Sequence, residues 1–463
     1  MRDENKKESD LLGKIVSLCK RRGFVFQGSE IYGGFAGTYD WGHLGVALKK
    51  NIIDAWTKAM QDHRNMTFLD SSIFTSGKVW EASGHVSGFS DPLIICNICK
   101  EKSRADHLLE NIGIKADEKL TNLDINKIFD TNRTRIKCPK CGGKDFGQIH
   151  ASNLLATSNL GMLDGEEEQV YLRGETAQGI YINYKNVLDT GFVSIPFGIA
   201  QIGKAFRNEI SPRQFLFRKR EFEQMEMQYF SHPSEAMGNY ELWKKERMEY
   251  YKKLGMNPRK LRFKPHENLV FYAKAACDIE YEFPFGWSEL EGIHYRGDYD
   301  LTQHQKFSGV DMRFYDEETK EKYIPHIVET SVGVDRTVLM VLCDAYCEDE
   351  LGGNKRVVLK LPLKLSPMVC AVSPLLKNKP ELVLKAQEVF SILKKEFGRV
   401  AWDDNGNIGK RYRRQDEIGT PFCIVVDFDT LGDDTVTVRD RDTGEQERIK
   451  VGELIEFIKN KIN

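Results

Sequence analysis

Gly203-Lys204-Ala205-Phe206-Arg207-Asn208-Glu209-Ile210-Ser211-Pro212-Arg213, continued by Phe217-Arg218-Lys219-Arg220-Glu221-Phe222, is the stretch on which the fold turns. Arginines on a strand, and again beyond a loop, set planar forked cations where a triphosphate and a carboxylate can be held bidentately. Taken alone, such a stretch is more often a solvated charged hairpin, and its context in the chain overturns that reading. The run Arg220 to Phe230 then alternates acidic or polar side chains with apolar ones, the period of a strand with one functional face. Glu221, Glu223 and Glu226 do not fit one face of such a strand without a bulge.

The 463 residues exceed one ordinary core, which predicts two or three compact units. With 41% hydrophobic, 29% charged and 11% aromatic residues, the composition is that of a soluble globular protein and excludes disordered and collagen-like classes. The formal net charge of -2 carries no global basic field, so any nucleic-acid contact must come from local patches. A charged start with no apolar run behind it, and no apolar stretch long enough for a membrane span, predict a cytoplasmic protein without membrane contact.

Apolar residues at helical spacing predict helices from Asp10 to Cys19 and from Val46 to Met60. The glycine-rich, aromatic stretch between them, Gly33 to Gly42, reads as tight turns or close backbone approach. From Asp91 to Gly147 the chain turns polar and Lys-rich between two cysteine pairs, an inserted subdomain with a helical excursion expected at Leu108 to Lys119. Gln169 to Met340 is β-rich, Ser231 to Leu254 reads as a charged amphipathic helix, and after a boundary near residue 360 a βαβ pattern follows with a helix at Pro380 to Phe397.

The opening stretch resembles motif 2 of the class II aminoacyl-tRNA synthetases. Gly333-Val334-Asp335-Arg336, opening an apolar helix, is similar to their motif 3, and Asp40-Trp41-Gly42-His43-Leu44-Gly45 with its following helix takes the place of motif 1. Trp80 to His85, Arg104 to His107, Leu172 to Gly179, Pro325 to Ser331 and Lys410 to Pro421 extend the resemblance over nearly the whole chain, toward the homodimeric type of glycyl-tRNA synthetase. The resemblance implies an α+β fold. A class II antiparallel-sheet catalytic domain would span 1–90 and 148–360, with an inserted zinc-knuckle-like subdomain at 91–147 and a C-terminal α/β anticodon-binding domain at 361–463. It also implies a homodimer, although Trp41-Gly42-His43-Leu44 lacks the proline common in motif 1.

The implied reaction joins an amino-acid carboxylate to the α-phosphorus of ATP and then passes the acyl group to tRNA. Positioning and charge stabilisation govern such a step, so arginines and Mg²⁺ matter more than a nucleophile. By the resemblance, Arg207 holds the α-phosphate and the substrate carboxylate, Asn208 and Glu209 lie near the adenine, and Arg218 grips the γ-phosphate. Phe217 and Phe222 flank the nucleotide, Glu289 and Leu290 add contacts, and Gly333 and Arg336 close the other side. Glycine offers only an ammonium, a carboxylate and a methylene, so its pocket must grip charges and reject a methyl by bulk. Glu175, Glu226, Glu329 and Ser331 occupy the corresponding positions, with Arg104, Phe222, Gln224 and Gly333 beside them. Arg207, Arg336 and Glu226 are the candidate catalytic groups, and Arg296 is a further candidate. Clustered carboxylates repel, so an elevated pKa or a neighbouring arginine is expected among them.

Cys96-x-x-Cys99 and Cys138-x-x-Cys141 form a CxxC…CxxC set suited to tetrahedral structural Zn²⁺, the alternative being reduced unliganded thiols. Arg411, Arg413 and Arg414 around Tyr412 are the candidate tRNA contacts, against a salt-bridged loop beside Asp416 and Glu417. Two rival readings are a synthetase for alanine or serine, and an inactive synthetase-like nucleic-acid-binding subunit. The second should lack Arg207, Arg218 and Arg336, all of which are present.

Overall fold

The computed structural model describes residues 2–63, 65–114, 122–161, 168–266 and 273–462. Its centre is a sheet of β1 (Met66–Phe68), β2 (Phe197–Phe206), β3 (Glu221–Ser231), β4 (Leu261–Pro265), β5 (Ala275–Phe283), β6 (Gly286–Gly297) and β7 (His326–Gly333), in the order β4-β5-β6-β7-β3-β2-β1. Every neighbouring pair is antiparallel except β1 with β2, which is parallel.

One face of this sheet is apolar. Met225 and Met227 of β3, Ile279 of β5, Ile293 of β6 and Val328 and Val332 of β7 are buried with residues of α1 (Arg2–Arg22), α2 (His43–Gln61), α4 (Ala236–Lys253) and α5 (Val334–Ala345). A further helix, α3 (Ala177–Asp189), contributes Ile180, Tyr181 and Tyr184 to a smaller cluster on the other face with Phe197 and Phe230. Burial of these apolar side chains is the main drive for the arrangement. The rest of that other face, beyond the smaller cluster, carries the polar side chains that strand alternation turns away from the main core.

The segment from Ser231 to Leu254 is less solvated than its composition suggests. Its helix begins at Ala236 and buries Trp243, Arg247 and Tyr251, where Arg247 Nε donates to Glu291 Oε1 at 2.6 Å and the Tyr251 hydroxyl donates to Glu291 Oε2 at 2.5 Å. Arginine and glutamate are both nearly inaccessible, as a matched buried pair must be.

The region of the cysteine pairs has its own core of Ile94, Leu108, Leu109, Phe129, Ile136 and Phe146, beside a sheet of Ser90–Ile95, Lys102–Arg104 and His150–Asn153. The helix expected at Leu108 to Lys119 is instead Ala105–Glu110, and Gly113 at φ 85° turns the chain before the next helix, Asn122–Asn132. Residues 115–119 of that expectation lie outside the described residues.

The C-terminal part builds β8 (Cys370–Pro374), α6 (Pro380–Phe397), β9 (Val400–Trp402), α7 (Ile408–Ile418), β10 (Phe422–Val426), β11 (Thr435–Asp440) and β12 (Gln446–Lys450), with sheet order β9-β8-β10-β11-β12. Its first three strands are parallel and the last two antiparallel. A separate core runs from Val369 to Ile458.

Candidate active site

On β3 the register runs unbroken against both β2 and β7, so no bulge is present. The acids expected to compete for one face use both. Glu221 and Glu223 turn to the helix side, where they meet Lys204 Nζ and Lys49 Nζ, each at 2.6 Å. Phe222, Gln224 and Glu226 turn the other way and line a cavity of about 320 Å³. Glu329, Ser331 and Gly333 of β7 and Gly292, His294 and Arg296 of β6 complete that polar wall. An added Cβ at Gly292 would lie 2.7 Å from His294 Cε1, so glycine there gives the imidazole its place on the wall.

Three arginines from separate parts of the chain reach the same cavity: Arg207, Arg218 and Arg336. Arg207 Nε donates to the Gly174 carbonyl at 3.0 Å, and its guanidinium lies over Phe89 at 5.1 Å and Phe222 at 5.3 Å. Arg336 lies over Phe217 at 4.5 Å, donates to the Phe217 carbonyl at 3.2 Å and pairs with Glu289 Oε1 at 3.0 Å. Glu289 stays half exposed, and Arg336 holds its carboxyl below the ordinary value. Arg218 Nη1 is 3.9 Å from Glu209 Oε2. Motifs 2 and 3 are tied beneath by Lys219 Nζ, which donates to Asp335 Oδ1 at 2.6 Å, while Asp335 Oδ2 accepts the Glu223 backbone N–H at 2.9 Å.

The acid end of the cavity contains Glu175, Glu226 and Glu329. Burial pushes the Glu226 carboxyl well above its ordinary value, and the nearby Glu329 and Glu175 push it further. Its oxygens meet the Thr176 hydroxyl and, at 3.2 Å, Gln228 Nε2. Burial raises Glu175 as well, but His85 Nε2 at 3.4 Å, Arg296 and the Gln178 amide outweigh it and leave the carboxyl below the usual range. For Glu329, burial is overcome by Arg296 and by His294, which bring it down to about 2. Arg296 Nη1 donates to Glu329 Oε2 at 3.1 Å, and His294 Nδ1 lies 3.0 Å from Glu329 Oε1. The expected remedies for clustered acids are thus both present: one raised carboxyl and one buried arginine.

Among the expected nucleotide and substrate residues, Glu175, Arg207, Glu209, Phe217, Arg218, Phe222, Gln224, Glu226, Glu289, Glu329, Ser331, Gly333 and Arg336 share the cavity. Three do not line it. Leu290 is 1% exposed and packs in the core, because the β5–β6 register shifts there: Glu289 pairs with Glu280 and Glu291 with Ile279, and the extra residue leaves the face that Gly292, His294 and Arg296 share. Asn208 is exposed, with its backbone N–H donating to the Leu154 carbonyl at 2.7 Å. Arg104 is engaged with Asp91 Oδ1 at 2.8 Å and Asp106 Oδ2 at 2.5 Å. His294 lines the cavity with no motif in the sequence to mark it, and Lys219, Asp335 and the further candidate Arg296 line it as well. The signal for Arg296 was its spacing from Asp300, whose carboxylate accepts from its Nε at 2.8 Å and Nη2 at 2.9 Å.

Cys96, Cys99, Cys138 and Cys141 converge with all sulfurs within 4.8 Å of one another, Cys96 to Cys141 at 3.7 Å and Cys99 to Cys138 at 3.6 Å. A tetrahedron with Zn–S bonds of about 2.3 Å has S···S edges of roughly 3.8 Å, so the four thiols fit that ion.

The cationic cluster of α7 needs correction. Arg411 is 2% exposed and spends its guanidinium on the carbonyls of Gly406 at 2.8 Å, Asp404 at 3.0 Å and Pro374. Arg414 clamps Asp403 with Nε at 2.9 Å and Nη2 at 2.6 Å. Helix periodicity turns both inward, which removes Arg411 as a phosphate contact and leaves Arg414 neutralised. Arg413 lies in a cleft with Lys355, Arg356, Glu350 and Glu417.

Comparison with known proteins agrees with this geometry. Residues 160–345 match the tRNA synthetase class II core domain (G, H, P, S and T), and residues 369–461 match the anticodon binding domain. The chain is similar in fold to a prolyl-tRNA synthetase from Cryptosporidium parvum solved with L-proline and AMP, with a TM-score of 0.62 at 16% identity over 97% of this chain and 75% of that one. It is 49% identical to the glycine–tRNA ligase of Borreliella burgdorferi over 97% of each chain. It is 48% identical to that of Clostridium acetobutylicum, over 98% of this chain and all of that one. With the three arginines and the ring of acids meeting in one cavity, and with near half identity along almost the full length, the chain belongs to the glycine–tRNA ligase family of class II aminoacyl-tRNA synthetases.

Proposed function

We propose that this cavity carries out the family's reaction with the following division of labour. The enzyme activates glycine with ATP to glycyl-adenylate and diphosphate, then passes glycine to the 3′ end of tRNA(Gly). Arg207 holds the α-phosphate and the attacking carboxylate, with Phe222 against the adenine. Arg218 and Arg336 hold the rest of the triphosphate, so that charge moving to the leaving diphosphate meets fixed cations. The single observation that carries this reading is the convergence of Arg207, Arg218 and Arg336 with Glu175, Glu226 and Glu329 on one cavity.

Ionised Glu175 and Glu329 grip the ammonium, and Glu226, kept neutral, supplies a proton-bearing oxygen and bulk beside the substrate methylene. Gln224 Nε2 donates to Ser331 Oγ at 3.2 Å and narrows the same wall. Arg104 acts at the rim through Asp91 and Asp106. The half-exposed Glu289 carboxylate, an oxygen donor beside the triphosphate arginines, suits a hard cation and would hold Mg²⁺. That ion would add positive charge next to the phosphates. The four-cysteine cluster would hold a structural Zn²⁺ that fastens the inserted region.

The division into a catalytic domain of residues 1–90 and 148–360, an insertion at 91–147 and an anticodon-binding domain at 361–463 is supported in outline by three apolar clusters, although Ile149 and His150–Asn153 join the insertion while Leu361, Leu365 and Ile418 pack with the catalytic core. Homodimerisation is supported by Ile31 and Tyr32, 88% and 86% exposed on the turn before motif 1, with half-exposed Phe35 beside them. A cytoplasmic site of action is supported by ten cysteines without a disulfide among them. No helix among the described residues is long and apolar enough to cross a membrane. Glycine-dependent exchange of labelled pyrophosphate into ATP tests the activation step. Sedimentation equilibrium tests the dimer, and a monomer at working concentration would contradict it.

A further inference from the structure

Beside the cavity, on the sheet edge away from motif 2, stand His266 at the end of β4, Asp278 on β5 and His294 on β6. One ligand atom from each lies within 4.8 Å of the others. His266 Nε2 is 2.9 Å from Asp278 Oδ2, and the two imidazole rings are 5.7 Å apart between centroids. The side chains are 30%, 17% and 20% exposed, so an ion can enter while the donors stay held.

A second observation points the same way. A carboxylate accepts, so His294 Nδ1 donates its proton to Glu329 Oε1 at 3.0 Å, which leaves Nε2 as the nitrogen with a lone pair. A carboxylate behind an imidazole is the outer-shell arrangement that fixes the tautomer of metal-ligating histidines and raises their basicity. Gly292, opposite Asp278 in the β5–β6 ladder, keeps the ring's space clear.

We propose that His266, Asp278 and His294 form a binding site for a divalent transition-metal ion, separate from the four-cysteine cluster and from the cation that accompanies ATP. Two imidazoles and one carboxylate suit Zn²⁺, Co²⁺ or Ni²⁺, whereas Mg²⁺ prefers oxygen ligands alone. Three protein ligands leave a coordination position open to water or another small ligand. An ion here sits one imidazole away from Glu329, so its charge reaches the wall that grips the substrate ammonium.

The test is metal counting on the full-length protein. Chelator-stripped enzyme is titrated with Co²⁺, read by thiolate charge-transfer absorption for the cysteine site and by d–d bands without that absorption for the second. The expected result is two equivalents per chain, the second weakened at least about 10-fold in both His266→Gln and His294→Ala, with the thiolate band unchanged as a report of intact folding. Glu329→Gln should weaken the same equivalent by about 10–100-fold through the outer shell. One equivalent only, a second equivalent unchanged in both histidine variants, or displacement by millimolar Mg²⁺ would each overturn the proposal.

Discussion

Arg296 Nη1 donates to Glu329 Oε2 at 3.1 Å while the same guanidinium holds both oxygens of Asp300, and all three side chains are nearly inaccessible. Removing the cation strips Asp300 of its ion-pair partner and leaves Glu329 to His294 and the Gln228 amide, a change that costs about 3–5 kcal/mol when one partner of a buried pair is lost. Arg296→Gln should therefore lower the thermal midpoint clearly and abolish glycine activation. Calorimetry showing an unchanged midpoint would contradict this account of the acid ring.

Glu226 and Glu329 should respond to pH in opposite directions. Glu226 has a folded pKa raised above its ordinary 4.5, so its neutral form contributes stability that is present below 4.5 and lost as pH rises through the folded value. Glu329 has a folded pKa of about 2, so its anion contributes stability present above 4.5 and lost as pH falls toward 2. In urea unfolding across this range, the wild-type advantage over Glu226→Gln should shrink as pH rises. The advantage over Glu329→Gln should shrink as pH falls. Parallel curves for the two variants would refute the assignment of their charge states.

The motif residues were legible because their chemistry is written in residue type: arginines for phosphate, acids for an ammonium, paired CxxC for a tetrahedral ion. Facing was harder. Glu221, Glu223 and Glu226 could not be sorted from composition, since only the cross-strand register shows that the first two turn toward Lys204 and Lys49. Leu290 leaves the cavity face through a β-bulge on β6 that residue order does not reveal. The pairing of Arg296 with Glu329 was not legible because the two lie on different strands, 33 residues apart in sequence. Arg411 misled because the cationic run reads as a solvated loop until its place on α7, with one side of that helix buried, is known.

That packing separates the arginines of α7. Arg411→Ala should destabilise the C-terminal unit, since it leaves the carbonyls of Asp404 and Gly406 without their donor. Arg413→Ala should leave the thermal midpoint and pyrophosphate exchange near wild type while raising the KM for tRNA. Equal midpoints for the two variants would count against the buried role of Arg411.

Cys138→Ser should lose the thiolate-bound metal equivalent and expose the insertion, whose core includes Cys96 and Cys138 beside Phe129 and Phe146, to limited proteolysis. The digestion pattern of a chelated wild-type sample should match that of the variant. A variant that keeps stoichiometric zinc and full protease resistance would rule out the four-thiolate site.

The central claim is that separated arginines clamp ATP while a ring of acids accepts only the smallest amino acid. Amino-acid-dependent pyrophosphate exchange tests it most directly. Glycine should support exchange, alanine and serine should do so at least about 100-fold less well, and Arg336→Ala should lose about 10²–10³-fold of the glycine rate. Exchange driven by alanine or serine in preference to glycine, or undiminished in Arg336→Ala, would contradict it.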